Sequence, residues 1–127
     1  MRFLIDTHTF LWFVNDSSQL SDTARFILES EVDLWISSAS LWEIAIKVSV
    51  KKLTLPQPFD LFITNQLELN EIETLYPSIL HLNSLSELTF HHRDPFDRLI
   101  IAQAIVENVP IISTDSWFDT YAIQRIW

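Results

Sequence analysis

Neither glycine nor cysteine occurs anywhere in the 127 residues. Without glycine, neither the G-x-G-x-x-G turn nor the phosphate-cradling Walker loop can be written, so no nucleotide cofactor is expected. Without cysteine there are no disulfides, no thiolate chemistry and no Cys-bearing zinc site. Positive charge is also scarce, with 8 Lys and Arg against 17 Asp and Glu and a formal charge of −9. That is the wrong sign for holding nucleic acid by general attraction. Any polynucleotide contact has to be local or carried by a divalent cation, and the acidic surface suits a basic protein partner. Long hydrophobic runs are missing too. Hydrophobic residues make up 48% of the chain, but the longest apolar stretches reach only about half the length of a membrane span. Strand-like Arg2–Ile5 gives way at once to Asp6, which does not read as a signal peptide. The expectation is one cytoplasmic domain over residues 1–127, with no membrane contact.

What is present is an alternation of short apolar segments with longer helical ones. Strands are expected at 2–5, 33–37, 72–76, 110–114 and 124–127. Helices are expected at 7–15, from a Ser21 cap to about 31, from Ser38 or Ser40 to about 51, at 59–69, and from Asp94 to 108, with a helical turn at 116–121. Residues 77–89 read as one or two short helices. Strands separated by helices point to a parallel sheet covered on both faces.

Four acids stand out against this frame. In an open parallel sheet, ligands bind beyond the carboxyl ends of the strands. Asp6 closes the first strand in FLIDTHTF, and Asp115 closes a later one in PIISTDSW. Each is equally readable as the cap of the helix or turn that follows. Glu43 lies in a segment where seven of the ten residues 41–50 are apolar. Such a helix is expected to be buried on nearly all sides, and a buried carboxylate needs a partner. Lys47, four residues on, is the simple one. Asp97 falls in the first turn of the long helix opened by HHRDPFDR, where Asp94 before Pro95 is a good N-cap. Asp94 competes with Asp97 for a role in any site, and the helical phase together with the capping role of Asp94 favours Asp97. Four converging carboxylates would repel one another. Mg²⁺ or Mn²⁺ resolves the conflict, and such an ion suits phosphodiester hydrolysis. One ion or two stays open.

Other residues rank lower. Arg93 and Arg98 are candidates for substrate phosphate or for solvated charges at the helix start. His91 and His92 read first as a polar approach to the helix, and second as contacts to RNA phosphates or a leaving group. Thr7 and Thr114 adjoin Asp6 and Asp115 and are candidates for holding water there. Lys47, Lys51 and Lys52 are favourable charges near a helix C-terminus. Trp12, Trp35 and Trp42 each lie in an apolar stretch and are expected in the core. A phosphoaspartate receiver domain fits poorly, because Asp6 is followed by Thr7 and His8 and no lysine occurs after Lys52.

The stretches LIDTHTFLW, SSASLWEIAIKVSVKKLTL, HHRDPFDRLIIAQA and STDSWF, in this order, resemble the PIN-domain nucleases. The nearest likeness is to the VapC-type ribonuclease toxins of type II toxin–antitoxin pairs, and it runs essentially end to end. The resemblance implies a three-layer α/β/α sandwich with a central parallel sheet of four to five strands. It also implies a Mg²⁺- or Mn²⁺-dependent endoribonuclease whose acidic quartet is Asp6, Glu43, Asp97 and Asp115. The implied partners are an RNA substrate, a cognate antitoxin and a second copy of the chain. A catalytically inactive protein-interaction module on the same fold is the alternative.

Overall fold

A computed structural model describes residues 1–127. The chain runs β1 (Arg2–Ile5), α1 (Thr7–Val14), α2 (Asp22–Leu28), β2 (Asp33–Ser37), α3 (Ser38–Ser49), α4 (Phe59–Leu69) and β3 (Ile72–Leu75). It continues through α5 (Ile79–Glu87), α6 (Pro95–Glu107), β4 (Ile111–Ile112), a 3₁₀ turn (Ser116–Thr120) and β5 (Arg125–Ile126). All strand pairs are parallel, in the order β3-β2-β1-β4-β5.

Alternation along the strands explains the layers, because successive side chains point to opposite faces. Phe3 and Ile5 of β1, Leu34 and Ile36 of β2, and Ile112 of β4 join Phe10, Leu11, Ala24, Leu28, Ile44 and Phe62 in one core. Leu4, Trp35 and Ile111 face the other way, into a core with Ile100, Ile101, Ala104 and Phe118. Helices α1 to α4 therefore cover one face, and α6 with the 3₁₀ turn covers the other. The result is the expected α/β/α sandwich.

Strand order fixes where a site can form. Through β3 the chain builds outward from β1 on one side; it then crosses by α5 and α6 to pair β4 on the other side of β1. The order switches between β1 and β4, and the crevice beyond their carboxyl ends is where such sheets bind ligands. The amide of Asp6 donates to the Ile112 carbonyl at 3.3 Å, and the Thr9 hydroxyl donates to the same oxygen at 2.9 Å. These bonds clamp the start of α1 against the end of β4.

Several boundaries differ from expectation for local reasons. Ser37, neither Ser38 nor Ser40, caps α3, its hydroxyl accepting from the Ala39 amide. Residues 77–89, expected to hold one or two short helices, hold one, opened by a reciprocal cap between Ser78 and His81. His81 also reaches Glu107 at 3.1 Å and so ties α5 to α6. With no glycine available, the left-handed positions after α1, α3 and α4 and at the end of α6 fall to Asp16, Lys51, Glu71 and Asn108, at φ of 51°, 62°, 53° and 53°. Nor is α3 buried all round: Trp42 (64% exposed), Ile46 and Val50, four residues apart in turn, form an outward apolar stripe. Trp35 lies in the core as expected and Trp12 packs at its margin, but Trp42 does not. No helix is long and apolar enough to cross a membrane.

Candidate active site

Asp6 is the buried member, 5% exposed. One carboxylate oxygen caps α1 by accepting from the Thr9 amide at 2.9 Å, and the other accepts from the Ser113 hydroxyl at 2.5 Å. Burial raises its pKa above the ordinary carboxylate range, opposed by these hydrogen bonds. The same Ser113 oxygen accepts from the Asp115 amide at 3.0 Å. One hydroxyl thus joins the acid after β1 to the acid after β4. Asp115 in turn caps the 3₁₀ turn through the Trp117 amide at 3.0 Å.

Asp97 sits one turn into α6, with its amide held by the Asp94 side chain at 3.0 Å. The two aspartates divide the work: Asp94 caps the helix, and Asp97 turns its carboxylate to the His92 Nε2 at 2.9 Å. Burial pushes Asp97 up to about 6. The His92 hydrogen bond and charge oppose the rise, and the negative charges of Asp94 and Glu43 add to it. Ligand atoms of His92, Asp97 and Asp115 all lie within 4.8 Å of one another. Glu43 is held at 2.8 Å by the Thr7 hydroxyl, next to Asp6, and at 3.0 Å by Lys47. The simple ion pair therefore exists, but it is one of two anchors, and the charge of Glu43 is felt at Asp97.

The lower-ranked residues sort clearly. Thr7 serves Glu43, and Thr114 is exposed without a hydrogen-bond partner in the cluster. Ser113, not Thr114, accompanies Asp115, its hydroxyl accepting from the Asp115 amide while it donates to Asp6. His92 stacks parallel to the Trp117 indole, with centroids 5.8 Å apart and planes 13° apart. His91 faces Tyr121 instead. For Arg98, the phosphate reading is corrected. Arg98 is 5% exposed, its guanidinium donates to the Leu88 and Thr89 carbonyls at 3.0 Å each, and it lies 3.9 Å from the Phe90 ring centre. It fastens residues 88–92 onto α6. Arg93 is exposed. Arg125, not singled out from sequence, locks the 113–119 loop by donating to the Ser113 carbonyl and pairing with Asp119.

The atoms within common reach of one ion are two carboxylates, Asp97 and Asp115, and the His92 imidazole. Asp6, joined to Asp115 through Ser113, and Glu43, held by Thr7 and Lys47, stand outside that group. The donors are hard or borderline, and Asp6 and Asp97 are destabilised as anions by burial. Such a cluster fits a small divalent ion.

Solved structures share this fold over nearly the whole chain. A chain of VapBC2 from Rickettsia felis, bound to a DNA fragment from their promoter, superposes with a TM-score of 0.75 at 18% identity, covering 99% of this chain and 98% of that one. A chain of DNA-bound VapBC from Salmonella typhimurium gives 0.72 at 16% identity, covering 99% and 97%. VapBC-5 from Mycobacterium tuberculosis, a member of the VapBC family of toxin–antitoxin systems, gives 0.62 at 18% identity, covering 98% of each chain. At such identities these likenesses carry the fold alone. No curated protein matches in sequence. The PIN domain model matches residues 3–124, and the chain accordingly belongs to the PIN-domain family.

Proposed function

We propose that this chain is a Mg²⁺- or Mn²⁺-dependent endoribonuclease and the toxin of a type II toxin–antitoxin pair. The observation that carries the reading is the cluster of Asp97, Asp115 and His92 at the crevice between β1 and β4. It is tied through Ser113 to buried Asp6 and is close enough to Glu43 for its charge to act on Asp97, with Asp6 and Asp97 both pushed toward protonation by burial. That is excess buried negative charge, and a doubly charged ion relieves it.

Asp6, Asp97 and Asp115 would hold the ion, and Glu43 would share it or orient water. The bound ion supplies Lewis acidity toward a phosphoryl oxygen and a more acidic water. Ser113 ties the Asp6 carboxylate to the main chain of Asp115, its hydroxyl donating to the first and accepting from the amide of the second. His92 restrains the rotation of Asp97. Glu43, anchored by Thr7 and Lys47, keeps a carboxylate facing the crevice as a proton acceptor. Exposed Arg93, four residues before Asp97, contributes a phosphate contact at the rim. The α3 stripe of Trp42, Ile46 and Val50 supports a protein partner, taken here as a second copy of the chain, while the charge of −9 suits a basic antitoxin.

Cleavage of single-stranded or transfer RNA in Mn²⁺ tests the reading. Wild-type chain cuts and Asp6→Asn does not; equal activity in the two ends the mechanism. The Lys47–Glu43 pair, which already neutralises one carboxylate, favours the inactive module. RNA bound stoichiometrically and left intact under every divalent ion would establish that second reading.

A further inference from the structure

Resting on the ribonuclease reading, we infer that Trp117 is a stacking platform for a nucleobase of single-stranded RNA next to the scissile phosphate. Three observations converge on it. First, the indole is 53% exposed although it belongs to the 3₁₀ turn that closes the site. Second, it is fixed relative to the acids from two directions. Its amide is held by Asp115, and one ring face lies parallel to His92, whose Nε2 is bonded to Asp97. A flat ring half covered by a parallel imidazole offers the geometry that the next aromatic ring in a stack would use.

Third, the chain has little else with which to hold RNA. Of its eight cationic side chains, Arg2, Arg25, Lys47 and Arg125 are in ion pairs, and Arg98 is buried on carbonyls. Lys51 and Lys52 follow α3, which starts at the carboxyl edge of β2 and leads away from it. Arg93 is left as the unpaired cation beside the site. Stacking needs no charge, so it suits an acidic protein whose substrate is a polyanion. The neighbours of Trp117 are polar: Asp115 and exposed Ser116 and Asp119. It thus lacks the contiguous apolar surround of a protein interface, which Trp42 on its stripe possesses.

The test is binding of a fluorescently end-labelled ten-nucleotide single-stranded RNA to the whole chain in EDTA, followed by anisotropy, with cleavage in Mn²⁺ run in parallel. Trp117→Leu is expected to weaken binding about tenfold and Trp117→Phe about twofold or less. In cleavage, Trp117→Leu should raise KM about tenfold with kcat within twofold. Because one phosphate contact carries little counterion release, log Kd against log salt should have a slope near or below one. Equal binding by wild type and Trp117→Leu overturns the platform, whether or not the wild type cleaves, and frees the ring for a protein partner. A wild type that stacks RNA through Trp117 yet never cuts it would sink the nuclease reading and, with it, the scissile phosphate beside the ring, while sustaining Trp117 as a stacking platform for single-stranded RNA. A fall in kcat alone, unrescued by Trp117→Phe, overturns the platform in favour of a purely structural role for the ring.

Discussion

Asp97→Asn should make the metal-free protein more stable, and only above a definite pH. Asp97 ionises near 3.8 in the unfolded chain and at about 6 in the folded one, chiefly because burial penalises its charge. Below about pH 4 the acid is protonated in both states and costs nothing. Between about 4 and 6 the unfolded chain has lost the proton while the folded chain keeps it, so stability falls as pH rises. Above 6 both states are ionised and the full penalty stands. The interval from 3.8 to about 6 corresponds to about 3 kcal/mol. A fifth of the side chain still meets water, which reduces the expected gain to about 1–2 kcal/mol.

Asparagine keeps the shape and can still accept from His92, so the substitution removes charge with little else. In EDTA, thermal melts should therefore show no difference between variant and wild type at pH 4. A rise should develop between pH 4 and 6, then a plateau of about 4–8 °C in favour of the variant at pH 8. Adding Mg²⁺ or Mn²⁺ at pH 8 should reverse the order, because the wild type gains from binding and the variant has lost a ligand. An advantage that is the same at pH 4 and pH 8 would refute the argument, since it would mean that charge burial is not the cause. A variant less stable than wild type at pH 8 would refute it more directly.

Four further outcomes test other links. Ser113→Ala removes the donor to Asp6 and the acceptor for the Asp115 amide, and should lower cleavage about 10–100-fold with a stability loss of about 1–3 kcal/mol. Arg98→Met should lower the melting temperature by several degrees, because the Leu88 and Thr89 carbonyls lose their donors; an unchanged melt with a raised KM would restore the phosphate role. Ile46→Glu, on the exposed stripe of α3, should leave the melt nearly unchanged and turn a dimer into a monomer by light scattering; a dimer that survives would place its interface elsewhere. Glu71→Gly relieves a left-handed position after α4 and should stabilise by about 0.5–1 kcal/mol in chemical denaturation.

Much of the frame was readable because it rests on local rules. Strand β2 and helix α4 were bounded to the residue, since one is an apolar run between polar breaks and the other starts at a proline. The Asp94 cap followed from Asp-Pro alone. Strand β4 was read as five residues and proves to be two, although the Pro110 carbonyl and the Ser113 amide extend its ladder on either side. The acids could be placed at strand ends and helix starts because topology dictates that edge. Their hydrogen-bond partners could not. Ser113 and His92 enter only once β4 lies beside β1 and the 3₁₀ turn folds over α6, contacts that depend on residues as much as 107 positions apart.

The reading of α3 failed for an instructive reason. Seven apolar residues in ten imply burial only if the helix has neighbours on every side, and an edge helix over a five-stranded sheet does not. Composition reports how much apolar surface a segment carries; it cannot say whether the same chain covers it. Ile44 faces the sheet and Glu43 turns toward the crevice, while Trp42, Ile46 and Val50 face outward. Glu43 is therefore largely enclosed by its own fold, its side chain 14% exposed, with Thr7 and Lys47 as anchors. A second copy seated on that outward stripe would bury Glu43 further and raise the cost of its charge. Dimerisation on that stripe and divalent-ion affinity would then be coupled through one carboxylate, and Ile46→Glu, if it weakens such a dimer, should also shift the Mn²⁺ titration of the crevice.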